Sequence, residues 1–207
     1  MIDMITIGIT GGVGCGKSKI LEYIKENYNC RIITADDVAN RLKEPGEACY
    51  KPLINLLGEK ILDNDGFINK KKMAEKIFSD ECLLDKVNSI IHPAVKDYIL
   101  DIKETENQAG KYDYLFIEAA LLIECGYNEY VDQMWYIYTS ESVRVQRLKS
   151  SRGYSEKKIK DIMDAQLSDE KFRAGSDFCI DNSGTLEDTY MQIKIKMKEL
   201  DSENGRK

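Results

Sequence analysis

One stretch of eight residues constrains this chain more than any other. It is Gly11-Gly12-Val13-Gly14-Cys15-Gly16-Lys17-Ser18, directly after the apolar run Ile5-Thr6-Ile7-Gly8-Ile9 and directly before Lys19-Ile20-Leu21-Glu22-Tyr23-Ile24. The pattern is G-x-x-x-x-G-K-[ST] between a strand and a helix, and each fixed position meets a requirement of holding a polyphosphate. Glycines let successive backbone N–H groups turn inward to form an anion-binding concavity. The following helix adds its unpaired N-terminal N–H groups and the positive end of its dipole. Lys17 then reaches for β and γ oxygens, and the Ser18 hydroxyl is a ligand for Mg²⁺. The stretch reads as a phosphate-binding loop.

Around that loop the chain reads as an α/β protein. Met4 to Ile9 has the continuous apolar character of a strand buried on both faces. A helix from Ser18 to about Asn27 is followed by a second strand, Cys30-Arg31-Ile32-Ile33, ending at Thr34-Ala35-Asp36-Asp37. Ligands of open α/β sheets lie at the carboxyl ends of strands, which makes Asp36 a candidate catalytic acid. A helix N-cap is the competing reading of this acidic pair, and the residues alone leave both open.

From Pro45 to about Gln108 strand alternation gives way to helical spacing, punctuated by the turn signal Asp63-Asn64-Asp65-Gly66. Leu84, Val87, Ile91, Ala94, Tyr98 and Ile102 predict one apolar stripe, with a break or kink at His92-Pro93. A helical insertion between the second and third strands is implied. His92 is the only histidine, and its residue type leaves packing and substrate contact both open.

The sheet resumes at Tyr114-Leu115-Phe116-Ile117, closed by Glu118, the pattern of a Walker B acid that steadies Mg²⁺. A fourth strand, Met134-Trp135-Tyr136-Ile137-Tyr138, leads into a helix from Glu141 to Lys149. Arg144, Arg147 and Arg152 gather there, either as a solvated face or as a phosphate clamp. Gly153 and the polar residues after it read as a movable lid that excludes water. A fifth strand, Phe178-Cys179-Ile180-Asp181, opens into Asn182-Ser183-Gly184, a loop expected on the nucleotide side. The last helix starts at a Thr185-x-x-Asp188 cap, with Leu186, Tyr190, Ile193, Met197 and Leu200 as its core face. The polar tail from Ser202 to Lys207 is expected to fray.

Composition narrows the partners. The 207 residues suffice for one core and suggest one domain with an inserted subdomain. A net charge of −6 opposes non-specific nucleic-acid binding, so anions must be met by local clusters. No apolar run approaches the ~18 residues needed to span a bilayer, and no export signal is evident, so neither membrane nor nucleic acid is an expected partner and a cytoplasmic location is. Six scattered cysteines without a C-x-x-C pair encode neither a zinc site nor a disulfide framework. Cys15 sits in the loop as a small residue, and its helix-terminal setting is expected to lower its thiol pKa and expose it to oxidation.

The ordered set of motifs resembles the dephospho-CoA kinase family. It comprises Ile9 to Ser18, Ala35-Asp36 with Val38-Ala39, His92-Pro93, Ala120-Leu121-Leu122-Ile123-Glu124, Gln146-Arg147-Leu148, Gln166 and Asp177-Phe178-Cys179-Ile180-Asp181-Asn182-Ser183-Gly184. The resemblance implies a three-layer P-loop kinase fold with a parallel five-stranded sheet in the order 2-3-1-4-5. Its core is expected at about residues 1–36, 111–140 and 176–201, a helical substrate subdomain at about 37–110 and a lid at about 141–175. ATP with Mg²⁺ would phosphorylate the ribose 3′-hydroxyl of dephospho-CoA. The resemblance implies Lys17, Asp36 and Arg147 as catalytic, and Ser18 with Glu118 as metal contacts. Nucleotide binding falls to Gly11, Gly12, Gly14, Cys15, Gly16, Lys17, Ser18, Lys19, Arg147 and Asn182, in a chain favoured as a monomer.

The chain departs from the family pattern in several places. Thr34-Ala35-Asp36 stands where the family shows Asp-Ala-Asp, Glu118 where an Asp ends the third strand, Ala120 where a Pro precedes the Leu pair, and Lys19 where a Thr follows the loop serine. The family's Arg after its Ile-Ala pair appears here as Asn40-Arg41. Two other functions share some of these features. A nucleoside or nucleoside-monophosphate kinase would use the same chemistry on another acceptor. A GTPase-type switch needs an N-K-x-D loop, which Asn69-Lys70-Lys71-Lys72 does not supply.

Overall fold

The computed structural model describes residues 3–78 and 80–206. In chain order the elements are β1 (Ile5–Thr10), α1 (Lys17–Asn27), β2 (Cys30–Thr34), α2 (Ala35–Arg41), α3 (Tyr50–Leu57), α4 (Lys70–Phe78), α5 (Glu81–Ala109), β3 (Tyr114–Glu118), β4 (Gln133–Tyr138), α6 (Glu141–Arg152), α7 (Glu156–Asp164), α8 (Asp169–Ala174), β5 (Phe178–Asp181) and α9 (Leu186–Glu203). The chain divides into two compact units, one formed by residues up to Ile32 with those from Glu106 onward, the other by Ile33–Thr105.

The five strands form one sheet in the order β2-β3-β1-β4-β5, as the family pattern implies. β1 pairs in parallel with β3 (Ile7 opposite Phe116) and with β4 (Ile9 opposite Trp135), and β4 pairs in parallel with β5. Alternation along β1 then decides what each face packs. Ile5, Ile7 and Ile9 join Phe116, Trp135, Ile137 and Ile180 against Ile20 and Ile24 of α1 and Ile193, Met197 and Leu200 of α9. On the other face a Cβ at Gly8 would meet Met134 Sδ at 2.8 Å and Leu122, and Phe172 of α8 stacks on Tyr136 at 4.8 Å. The sheet is therefore a middle layer, which is why its strands read as nearly unbroken apolar runs.

In the unit Ile33–Thr105 the buried residues include Val38, Leu42, Leu53, Leu57, Ile61, Met73, Val87, Val95 and Ile99. The Asp63-Asn64-Asp65-Gly66 turn is held by Asp63 Oδ1, which accepts from the Asp65 and Phe67 amides at 3.0 and 2.9 Å. Asn69 Oδ1 accepts from the Lys71 and Lys72 amides and so caps α4.

Four sequence expectations change. α5 runs without interruption through His92-Pro93, because its buried stripe, not the backbone bond that Pro93 removes, holds it together. That stripe is also rotated from the expected one: Val87, Val95 and Ile99 are buried while Leu84 is 47% exposed, since Pro93 and its neighbours left the periodicity ambiguous by one residue. On α9 the expected core residue Leu186 is exposed and Thr189 is buried in its place, hydrogen-bonded to Asn182. The tail is helical to Glu203, and Arg206 donates to the Asp3 carbonyl and lies 5.1 Å over the Tyr114 ring. Lys207 lies outside the described residues.

Pro93→Ala should raise stability by about 1–2 kcal/mol, because proline in a helix interior costs ~3 kcal/mol relative to alanine and the freer unfolded chain returns part of that. Urea unfolding with an unchanged m-value checks it, and a loss of stability would mean that the ring itself is packed.

Candidate phosphate-binding site

The loop between β1 and α1 is built from glycine-rich backbone, part of whose hydrogen-bond donors stay free. Gly16 is the residue before α1 and has φ 93°, and a Cβ there would collide with the Asn182 amide. At Gly12 a Cβ would sit 2.5 Å from Arg144 Nη2. Gly16 is required by its conformation, and at Gly12 the missing Cβ leaves room for the Arg144 guanidinium. Cys15 N–H donates to Gly12 O at 3.2 Å and Val13 N–H to Gln166 Oε1 at 3.0 Å. The amides of Gly14, Gly16 and Ser18 have no acceptor among the described residues, while the Lys17 amide donates to the Cys15 thiol. Three free donors at a helix N-terminus make a receptor for an anion.

Carbonyls of the loop are clamped. Cys15 O accepts from Thr139 Oγ1 at 3.0 Å, from Asn182 Nδ2 at 2.7 Å and from Arg147 Nη1 at 3.4 Å. Asn182 is 1% exposed; its Oδ1 accepts from Thr189 Oγ1 at 3.0 Å, and its own carbonyl takes Arg147 Nη2 at 3.0 Å. Arg144 donates through Nε to Val13 O at 2.9 Å and through Nη2 to Gln166 Oε1 at 3.1 Å. Each guanidinium carries five N–H donors, so both arginines keep donors beyond those given to the loop. Lys17 Nζ donates to Gly11 O at 2.7 Å and lies 3.5 Å from Glu118 Oε1, both side chains being mostly buried.

The sequence candidates thus fall into groups. Gly11, Gly12, Gly14, Cys15, Gly16, Lys17 and Ser18 form the loop, joined at its lysine by Glu118, and Arg147 reaches it from α6. Lys19 is exposed and pairs with Glu22 at 2.6 Å. Asn182, expected to face a nucleotide, is instead a strut beneath the loop, because a carbonyl cluster buried at the end of β5 needs a donor. Asp36 is neither N-cap nor strand end: Thr34 precedes α2, Asp36 and Asp37 lie in its first turn, and Thr34 Oγ1 donates to Asp37 at 2.5 Å. Arg152 belongs to the last turn of α6, not to the residues beyond it. Arg144, left open between solvent and clamp by sequence, holds the loop; its i,i+3 spacing from Arg147 was the available signal.

Cys15 also departs from expectation. Burial raises its thiol pKa, and Lys17 and Arg144 only partly oppose that. The side chain is 1% exposed and turned into the core, so burial outweighs the Lys17 amide that donates to the thiol from the start of α1.

Free donors, clamped carbonyls and a buried lysine after β1 of a 2-3-1-4-5 parallel sheet define a P-loop kinase. The chain belongs to the dephospho-CoA kinase family, whose model matches residues 5–188. A dephospho-CoA kinase of Shouchella clausii is 33% identical over 187 residues, spanning 90% of this chain and 94% of that one. A solved Thermus thermophilus protein superposes with a TM-score of 0.78 at 26% identity, covering 96% of this chain and 98% of its own. The Campylobacter jejuni dephospho-CoA kinase shares the fold with a TM-score of 0.72 at 21% identity, over 96% of this chain and 98% of that one. Among the described residues no helix is long and apolar enough to cross a membrane.

Cys15 should resist maleimide in the native protein, with exposed Cys82 modified first; mass mapping of the labelled peptides decides this, and early labelling of Cys15 would contradict its burial. Arg144→Ala should weaken ATP binding about as much as Arg147→Ala, roughly tenfold or more, since each removes charge-assisted bonds to loop carbonyls. Titration of both variants with ATP tests this, and wild-type affinity in Arg144→Ala would return that residue to the solvated face.

Proposed function

We propose that the chain transfers the γ-phosphoryl group of ATP to the ribose 3′-hydroxyl of dephospho-CoA, giving coenzyme A. One observation carries the chemical part of this reading: the free amides of Gly14, Gly16 and Ser18 in the loop that also supplies the Lys17 ammonium. Family membership supports the acceptor. The loop amides hold the β-phosphate. Lys17 stands between Gly11 O and Glu118, and leaves those partners in part to neutralise charge that grows on the oxygens as the bond to the leaving group lengthens. Arg147 and Arg144 offer their remaining N–H groups to the same oxygens.

Ser18 is exposed at the second position of α1, and Glu118 presents a carboxylate beside Lys17. A hydroxyl and a carboxylate are hard oxygen donors, and Mg²⁺ takes few protein ligands beside phosphate and water oxygens, so these two residues fit it. When bound, that ion supplies charge neutralisation across the β- and γ-oxygens. Asp36, in the first turn of α2, accepts the proton of the 3′-hydroxyl as its oxygen attacks. The residues Ile33–Thr105 carry the acceptor, and α7 with α8 act as a lid that keeps water from competing as nucleophile. The chain works as a monomer in the cytoplasm, without nucleic-acid or membrane partners.

Purified protein with Mg-ATP should phosphorylate dephospho-CoA in preference to adenosine, AMP and GMP, as read by mass spectrometry of the products. Preference for a nucleoside or nucleotide would replace this reading with that of another small-molecule kinase. Asp36→Asn should lower kcat by roughly 10²–10⁴-fold with little change in KM for ATP, because Asn keeps the shape but cannot take the proton. Asp37→Asn, which alters only the pairing with Thr34, is the control; the reverse ranking would assign the base to Asp37.

A further inference from the structure

Within Ile33–Thr105 lies a second cationic site that the phosphate loop does not use. A cavity of about 250 Å³ is lined by Asn40, Lys43, Glu44, Phe67, Ile68, Lys70 and Met73. Lys43 is half-buried, and neither it nor Lys70 has an ion-pair or hydrogen-bond partner among the described residues. Burial and then the neighbouring Lys70 hold the Lys43 ammonium below its ordinary pKa, with Asp36 opposing them. Two lysines brought together with no ion-pair partner among the described residues are unfavourable alone, and an anion relieves both. Glu44 also lines the cavity and, like Lys70, is exposed, so two ammonium groups and the Asn40 amide stand against one carboxylate. Beyond the cations the wall is apolar: Phe67, 48% exposed despite its size, with Ile68 and Met73.

Position along α2 adds the chemical link. Asp36 and Asn40 are four residues apart, hence on one helix face, so the cavity opens one turn along from Asp36. In dephospho-CoA the 3′-hydroxyl and the 5′-diphosphate sit on the same ribose, a few bonds apart, and the pantetheine arm continues from the diphosphate. We propose that Lys43 and Lys70 bind the 5′-diphosphate of the acceptor, with the start of the pantetheine arm laid on Phe67 and Met73. This rests on Asp36 receiving the 3′-hydroxyl and names what fixes the rest of that substrate. It also makes the diphosphate the feature by which the enzyme separates its acceptor from a plain nucleoside.

The test uses the full chain with Lys43→Met and Lys70→Met, singly and together, since methionine keeps length and apolar stem while removing charge. Direct titration with dephospho-CoA in the absence of ATP should show affinity falling about tenfold or more per lysine, the size of one charge-assisted hydrogen bond lost. In turnover the loss should appear in KM for dephospho-CoA, with KM for ATP within about twofold and the slow reaction with adenosine unaffected. Circular dichroism and thermal melts should show fold and stability retained, because a half-buried charge has been removed. Unchanged dephospho-CoA affinity in the double variant overturns the proposal, as does equal loss with adenosine, which would make the lysines structural. If wild-type protein binds dephospho-CoA in a lysine-dependent way yet does not phosphorylate it, the assigned reaction fails and the diphosphate site stands. If it neither binds nor phosphorylates it, both fail.

Discussion

The carbonyl oxygen of Cys15 is the point on which the phosphate loop depends. For the amides of Gly14, Gly16 and Ser18 to stay without acceptors, the backbone around them must be held, and three donors, from α6 and from the residues that follow β4 and β5, converge on that one oxygen. Each such bond contributes about 0.5–1.5 kcal/mol net, somewhat more for the guanidinium, so together they outweigh the cost of an unusual backbone path. Arg144, on Val13 O, adds a fourth restraint from the same helix that carries Arg147. The loop is preformed for its ligand by bonds made to its back, which is the arrangement electrostatic catalysis needs.

This division of labour gives the arginines two tasks. A guanidinium has more donors than the loop requires, so a residue that shapes the cradle can still meet the phosphate lying in it. Lysine at either position could neutralise charge but could not do both. Lys17 shows the complementary design: its ammonium is held between Gly11 O and Glu118, two partners it can exchange for others.

The fold was readable because its signals are local. A glycine loop between an apolar strand and a helix, five buried strands and a capped last helix each leave a pattern within about ten residues, and the sheet order followed from the family pattern. What escaped depends on partners distant in sequence. Asn182 looked like a ligand-facing loop residue, but its surroundings are Cys15 and Thr189. Cys15 looked reactive from its place at a helix end, but the chain turns its thiol into the core. The α5 stripe slipped by one position because spacing of three and four admits neighbouring faces, and Pro93 was read as a stop although packing carries the helix through it. Lys43 and Lys70 gave no signal, being two lysines among thirty basic residues until the fold brought them to one cavity.

The strut formed by Asn182 has a consequence for how the protein is made. The side chain that anchors Cys15 O is made 167 positions after it and is itself held by Thr189 of α9. During synthesis the glycine-rich segment is therefore a flexible peptide with no defined receptor for phosphate, and nucleotide competence arrives only when the C-terminal strand and helix dock. A nascent or prematurely terminated chain would carry the complete motif and still fail to capture ATP, so the order of synthesis itself keeps unfinished molecules from sequestering nucleotide.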